Sequence, residues 1–262
     1  MVERSAGTAS FPAILQSEWT KIRSVRSTVW TLLLSFLVTV ALGALISLLT
    51  KNNFSDFTKD AKTPFDATAT SFAGIMLGEI AMIVFGVLAV GNEYSSGMIR
   101  VSLAAVPQRG TLLTGKAVVI GALSLLASLV TAFITFFLGQ ALLGDHHTTL
   151  GSPGVLRAVL GAAVYLMLLC LFSAGVTAML HNQTLALGVL VPFFFLLSPI
   201  LSAVPKVKNV AHYFPDYAGR QMLSVFQAPG EPYGWVGGFL ICGAWTLAAL
   251  LGGAAVLKKR DA

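Results

Sequence analysis

TVWTLLLSFLVTVALGALISLL, residues 28–49, runs from Thr28 to Leu49 without one charged side chain. At 1.5 Å of rise per residue such a helix extends about 33 Å, enough to cross the roughly 30 Å hydrocarbon core of a bilayer. In that core a backbone must satisfy its own N–H and C=O groups, which a helix does within one segment. The stretch is therefore read as a transmembrane helix. Five further stretches, 71–91, 117–143, 155–180, 184–204 and 234–257, have a comparable length and apolar character. The third is long enough to tilt or bend. The fifth contains Pro192 and Pro199 around Phe193-Phe194-Phe195, which should bend it and free backbone carbonyls.

The composition agrees. Of 262 residues, 56% are hydrophobic and only 11% charged, against about 25% charged in a soluble domain. So little polar surface cannot cover a water-soluble particle of this size. The fold class is all-α: a polytopic membrane protein with six transmembrane helices. Residues 1–27 form a polar N-terminal segment, 28–257 the six-helix domain and 258–262 a basic tail. The first span follows a long polar lead and is expected to be its own uncleaved targeting signal. Cys170 and Cys242 both fall in apolar runs and read as packing residues rather than a disulfide.

Lysine and arginine placement predicts the orientation. With a cytoplasmic N-terminus, the inner segments hold Arg4, Lys21, Arg23, Arg26, Arg100, Arg109, Lys116, Lys258, Lys259 and Arg260. The outer segments hold Lys51, Lys59, Lys62, Arg157, Lys206, Lys208 and Arg220, diluted by Asp56, Asp60, Asp66, Asp216 and Glu231. Most inner cations lie close to a helix end, where they weigh most, so both termini are expected in the cytoplasm. The net charge of +6 thus belongs to orientation and lipid headgroups, not to nucleic acid.

Two polar segments carry information. From Phe11, apolar residues recur at 11, 14, 15, 19, 22 and 25, one face of a helix at 100° per residue. Trp19, Lys21 and Arg23 suit the headgroup region, and Ser10-Phe11-Pro12 offers an N-cap and an early proline. Glu18 falls within the apolar arc. Either it pairs with a cation from another element, or it leans toward Lys21 and stays hydrated. The second segment joins spans two and three: Gly91-Asn92-Glu93-Tyr94-Ser95-Ser96-Gly97-Met98-Ile99-Arg100, ending at Pro107-Gln108-Arg109-Gly110. Asn92 as N-cap, Glu93 in the first turn and Arg100 further on predict a short helix starting near Glu93. It is either a docking knob for a partner or an ordinary solvated loop.

These motifs resemble a family. Ser17-Glu18-Trp19-Thr20-Lys21-Ile22-Arg23-Ser24 with Arg26-Ser27-Thr28-Val29-Trp30, and Glu93 to Arg100 followed by Pro107-Gln108-Arg109 and Lys116, look like ABC-2 type transporter permeases. The flavour is that of small efflux permeases of actinobacteria and Gram-positive bacteria. The resemblance implies a subunit of the bacterial cytoplasmic membrane, paired with a second permease copy, identical or related, and with two cytoplasmic ATPase subunits. It makes residues 11–27 a connecting helix, involving Glu18, Trp19, Lys21 and Arg23. It makes Glu93, Tyr94, Gly97, Arg100 and Arg109 the coupling element seated in an ATPase groove. It also implies short outer-face helices between spans five and six, where 205–233 is mixed in polarity and rich in Pro and aromatics.

No ATP site is expected in this chain. Gly110 to Gly115-Lys116 has the spacing of a phosphate loop, but Ala117 stands where the magnesium-binding hydroxyl belongs and no strand precedes it. Lys116 reads instead as a membrane-edge cation, and ATP with magnesium is left to the partner. Glu79 is the one carboxylate well inside a span, where an unpaired charge costs at least about 2.5–3.5 kcal/mol. It either lines a substrate or gating path, together with Pro192 and Phe194, or is satisfied by hydroxyls such as Thr131 or Thr135, or by the outer headgroups. Asp145-His146-His147 has too few ligands for a metal, and His212 has no evident partner. The alternatives to an ATP-driven exporter of an amphipathic or lipid-like compound are a secondary carrier using Glu79 or a membrane scaffold.

Overall fold

Each of the six apolar stretches forms a helix long enough to cross a membrane: Arg26–Asn52, Ala67–Ser95, Arg109–His146, Val155–Leu180, Gln183–Ala203 and Trp235–Lys259. The computed structural model describes residues 10–59, 64–106, 108–204, 207–227 and 230–259. Arg4, Asp60, Lys62, Lys206 and Arg260 of the charge tally lie outside these residues, as do Pro107 and Pro205. In chain order the helices are α1 Phe11–Ser24, α2 Arg26–Asn52, α3 Phe54–Thr58, α4 Ala67–Ser71, α5 Ile75–Ser95, α6 Met98–Ala105, α7 Arg109–Leu143, α8 Val155–Leu180, α9 Gln183–Pro192, α10 Ser198–Ala203, α11 Lys208–Ala211, α12 Pro215–Arg220 and α13 Trp235–Lys259. Among the described residues there is no strand.

Several helices outrun their apolar stretch, because hydropathy marks the membrane core whereas hydrogen bonding and caps mark helix ends. The second span starts at Ala67, where Asp66 accepts a hydrogen bond from the Ala69 amide at 2.9 Å. It passes through a 3-10 turn, Phe72–Gly74, into α5. The third span begins at Arg109, eight residues before the apolar run, and α7 is 35 residues long. The fifth span is broken as its prolines require: α9 ends at Pro192, Phe193–Leu197 form a π-helical segment, and α10 carries Pro199 in its first turn.

α8 is the hub, packed against α5, α7 and α13, with Tyr165, Leu166, Leu169 and Cys170 fully buried. Both cysteines are free and buried. α2 buries the side a soluble helix would expose: Thr28, Ser35, Thr39, Gly43, Ser47 and Thr50 face inward, while Trp30, Leu34, Leu37 and Leu45 face out. Lipid tails are as apolar as leucine, so helices in a bilayer gain by close approach of small residues and by hydrogen bonds. Ser35 accordingly donates to the Gly78 carbonyl on α5 at 3.0 Å.

α1 lies against α7 and α2, burying Ile14, Glu18 and Ile22 at four-residue spacing, while Phe11 and Trp19 remain exposed. Ser10 is extended at its N-terminus, although its hydroxyl makes no cap bond. Between spans five and six, α12 is inserted among helices rather than lying on the surface. It packs on α13 and α8, with Asp216, Ala218 and Gly219 buried. Gly219 permits that approach: a Cβ there would lie 2.0 Å from the Tyr165 ring on α8.

Candidate functional site

The turn between spans two and three differs from the sequence expectation. α5 continues through Asn92 and Glu93 to Ser95, so no helix starts at Glu93 and Asn92 is not an N-cap. The Asn92 carbonyl instead accepts from the hydroxyls of Ser95 and Ser96, at 3.2 and 2.6 Å, and from the Ser96 amide. The chain turns at Gly97, whose φ of +70° lies in the left-handed region that only glycine adopts without strain. α6 then runs from Met98 to Ala105, with Ile99 and Ser102 buried and Arg100 and Val101 exposed.

Beneath that turn, four charges from three helices meet. Lys21 of α1 lies 2.6 Å from Glu18 on its own helix and 2.9 Å from Glu93 of α5. Lys116 of α7 lies 2.7 Å from Glu93 and makes a very short contact with Glu18. Lys21 also donates to the Ser102 hydroxyl of α6 at 2.9 Å. Glu18, Glu93 and Lys116 are at most 4% exposed. Two carboxylates and two ammoniums sum to zero, the condition under which charges can be buried at all. Burial would lower the Lys21 pKa, but its hydrogen bonds and charge attraction to Glu18 and Glu93 outweigh that and hold it above the ordinary lysine value.

The proposed coupling residues therefore separate into two groups. Glu93 faces inward as an anchor, so it presents no carboxylate to a partner. Tyr94 packs its ring edge-on against His181, 4.7 Å between centroids. Arg109 donates to the Leu257 carbonyl at 2.7 Å, placing a cation where the α13 dipole ends negative. Arg100 stays on the exposed face of α6, and Gly97 sets the turn. On α1, Glu18 and Lys21 join the network, while Trp19 and Arg23 are exposed. Lys116 corrects the sequence reading: it lies inside the bundle between two carboxylates rather than at the membrane edge.

At the other end of α5, Glu79 has found partners. Tyr165 of α8 donates to it at 2.6 Å, and Arg220 at the end of α12 lies 3.3 Å away. Thr131 and Thr135 do not serve it: Thr131 donates to Ala127 of its own helix, and the Thr135 hydroxyl has no partner among the described residues. A cavity of about 250 Å³ reaches Glu79 and Arg220 between Phe72, Met76 and Leu223. Arg220 is held charged by the Glu79 carboxylate, against the lowering effect of burial. Next to it, Ser198 donates to Asp216 at 2.6 Å, tying α10 to α12.

Pro192 and Phe194 do not join this group. Phe194 is 1% exposed and packs edge-on against Phe172, 6.0 Å away, two turns along α8 from Tyr165. It fills the core, whereas Pro192 faces outward. His146 stacks on Phe54 with ring centroids 3.4 Å apart, and His212 stacks on Tyr217 at 4.5 Å. Among the described residues, no three His, Cys, Asp or Glu side chains converge as metal ligands.

The sequence pointed to Glu18 and Glu79 because a carboxylate in an apolar setting demands a partner, and to Glu93 only as part of a coupling element, not as a buried anchor. It did not point to Ser102, Tyr165 or Arg220, whose separations of 81, 86 and 141 residues from their partners carry no local signal. The model of a family described as ABC-2 family transporter protein matches residues 14–199 of the chain. Comparison with curated proteins gives no match.

Proposed function

This chain belongs to the ABC-2 family of transporter proteins, and on that premise we propose that it is the permease subunit of an ATP-driven exporter in a bacterial cytoplasmic membrane. In this reading both termini are cytoplasmic and the permease works as a dimer, of identical or related copies. Two separate ATPase subunits bind and hydrolyse ATP with magnesium, and the exposed face of α6 seats in them. The cargo is an amphipathic or lipid-like compound, drugs and antibiotics included.

The observation that supports this reading is the attachment of α6. Its outer face, with Arg100 and Val101, is free to meet a partner, while its inner face is tied through Ser102 to Lys21. Lys21 in turn bears on Glu18 and Glu93, and Lys116 joins these to the third span. A push on α6 thus bears at once on α1, α5 and α7, through charges too costly to separate. At the other end of α5, Glu79 stands beside Arg220, an arginine that keeps its charge.

Purification of the tagged chain from its own host in mild detergent, with mass spectrometry of what accompanies it, tests the proposal. A stoichiometric P-loop ATPase is expected, lost from Arg100→Ala/Val101→Asp while the variant keeps its thermal stability. A folded homo-oligomer with no ATPase overturns it.

A further inference from the structure

Away from both charge clusters, α7 and α13 leave between them a crevice of about 590 Å³ floored by Leu171 of α8. On α7 it follows Gly110, Leu113, Ala117 and Gly121, and on α13 it follows Leu250, Ala254 and Lys258. These α7 positions recur every three or four residues, so the crevice is one straight channel along the helix rather than scattered surface gaps. From Gly110 to Gly121 the helix rises about 16 Å, close to half the roughly 30 Å hydrocarbon core. The channel's length therefore matches that of one leaflet.

Its two ends differ chemically. The deep end is walled only by apolar side chains and glycine. At the shallow end Lys258 is exposed, and Gly110 stands in the first turn of α7, where amide N–H groups lack helical acceptors and the helix dipole is positive. No carboxylate lines the crevice. An occupant must carry a negative charge at one end and a hydrocarbon chain about one leaflet long at the other. We propose that this crevice binds an acidic phospholipid of the leaflet nearest the chain termini, its phosphate against Lys258 and the start of α7, one acyl chain lying along Ala117 and Ala254. The assignment is independent of the transport reading.

The test uses the whole chain, purified in mild detergent, exchanged into defined mixtures of phosphatidylglycerol and phosphatidylcholine, with retained lipid counted by native mass spectrometry. One phosphatidylglycerol per chain is expected to persist in preference to phosphatidylcholine. Lys258→Gln should cut that preference about fivefold, the effect of one cation near a lipid headgroup, whereas Lys259→Gln, which does not line the crevice, should change it less. Ala254→Phe fills the channel and should remove the retained lipid of either headgroup while the chain still elutes as wild type. Equal losses from Lys258→Gln and Lys259→Gln would mean general surface charge and overturn the site. So would an unchanged lipid count in Ala254→Phe, or competition by glycerophosphoglycerol as effective as that by the intact lipid.

Discussion

Replacing Lys116 by Met removes one of two cations from a closed cluster of four charges, keeping most of the side-chain volume. Glu18 and Glu93 are then left sharing Lys21, which already touches them at 2.6 and 2.9 Å. The site acquires a net negative charge where the carboxylate side chains are 1% and 4% exposed. Breaking a buried pair costs about 3–5 kcal/mol, and because Lys21 still serves both carboxylates the lower end, about 3 kcal/mol, applies. At about 2–4 °C per kcal/mol for a chain of this size, melting should fall by roughly 6–12 °C. The assay is tryptophan-fluorescence melting in detergent at a fixed scan rate, with a double-mutant cycle. Adding Glu18→Gln returns the cluster to one carboxylate and one ammonium, so the double variant should melt above Lys116→Met alone. A Lys116→Met chain within 1 °C of wild type, or a double variant showing the summed losses, would refute the account of the cluster as a neutral, mutually dependent unit.

Gly97→Ala places a Cβ at a φ of +70° with open space around it, so only backbone strain of about 1–2 kcal/mol results. Hydrogen exchange should quicken in α6 and leave α8 unchanged. Gly219→Val drives side-chain atoms into the Tyr165 ring; an overpacking cost of at least about 1–3 kcal/mol should pull α12 away and make trypsin cleavage after Arg220 faster than in the wild type. The pH response of Lys21 follows from its raised pKa. Its contribution is complete below the ordinary lysine value and is lost as pH rises through the higher value in the folded chain. Melting temperature should therefore show no Lys21-dependent change from pH 6 to 9 and fall above about pH 10, a fall reduced in Lys21→Met.

What the sequence alone determined is the count and place of the spans. A run such as 28–49 can satisfy its backbone in lipid only as a helix, and that requirement is local. The same logic marked α1 and flagged Glu18 and Glu79, since an apolar arc or span holding a carboxylate implies a partner. Local reasoning failed where two structures are both locally allowed. Asn92 and Glu93 can start a helix or end one, and α5 simply continues until Gly97 supplies the first positive φ. Lys116 can extend to a membrane surface or point inward, and only the arrival of α1 from 98 residues away decides for the interior. In the same way α12 could have rested on a surface. Gly219 against Tyr165 and Arg220 beside Glu79 bring it among the helices. These outcomes depend on which helix faces approach one another, because a buried charge takes its position from counter-charges on other helices, whereas a span takes its form from its own composition.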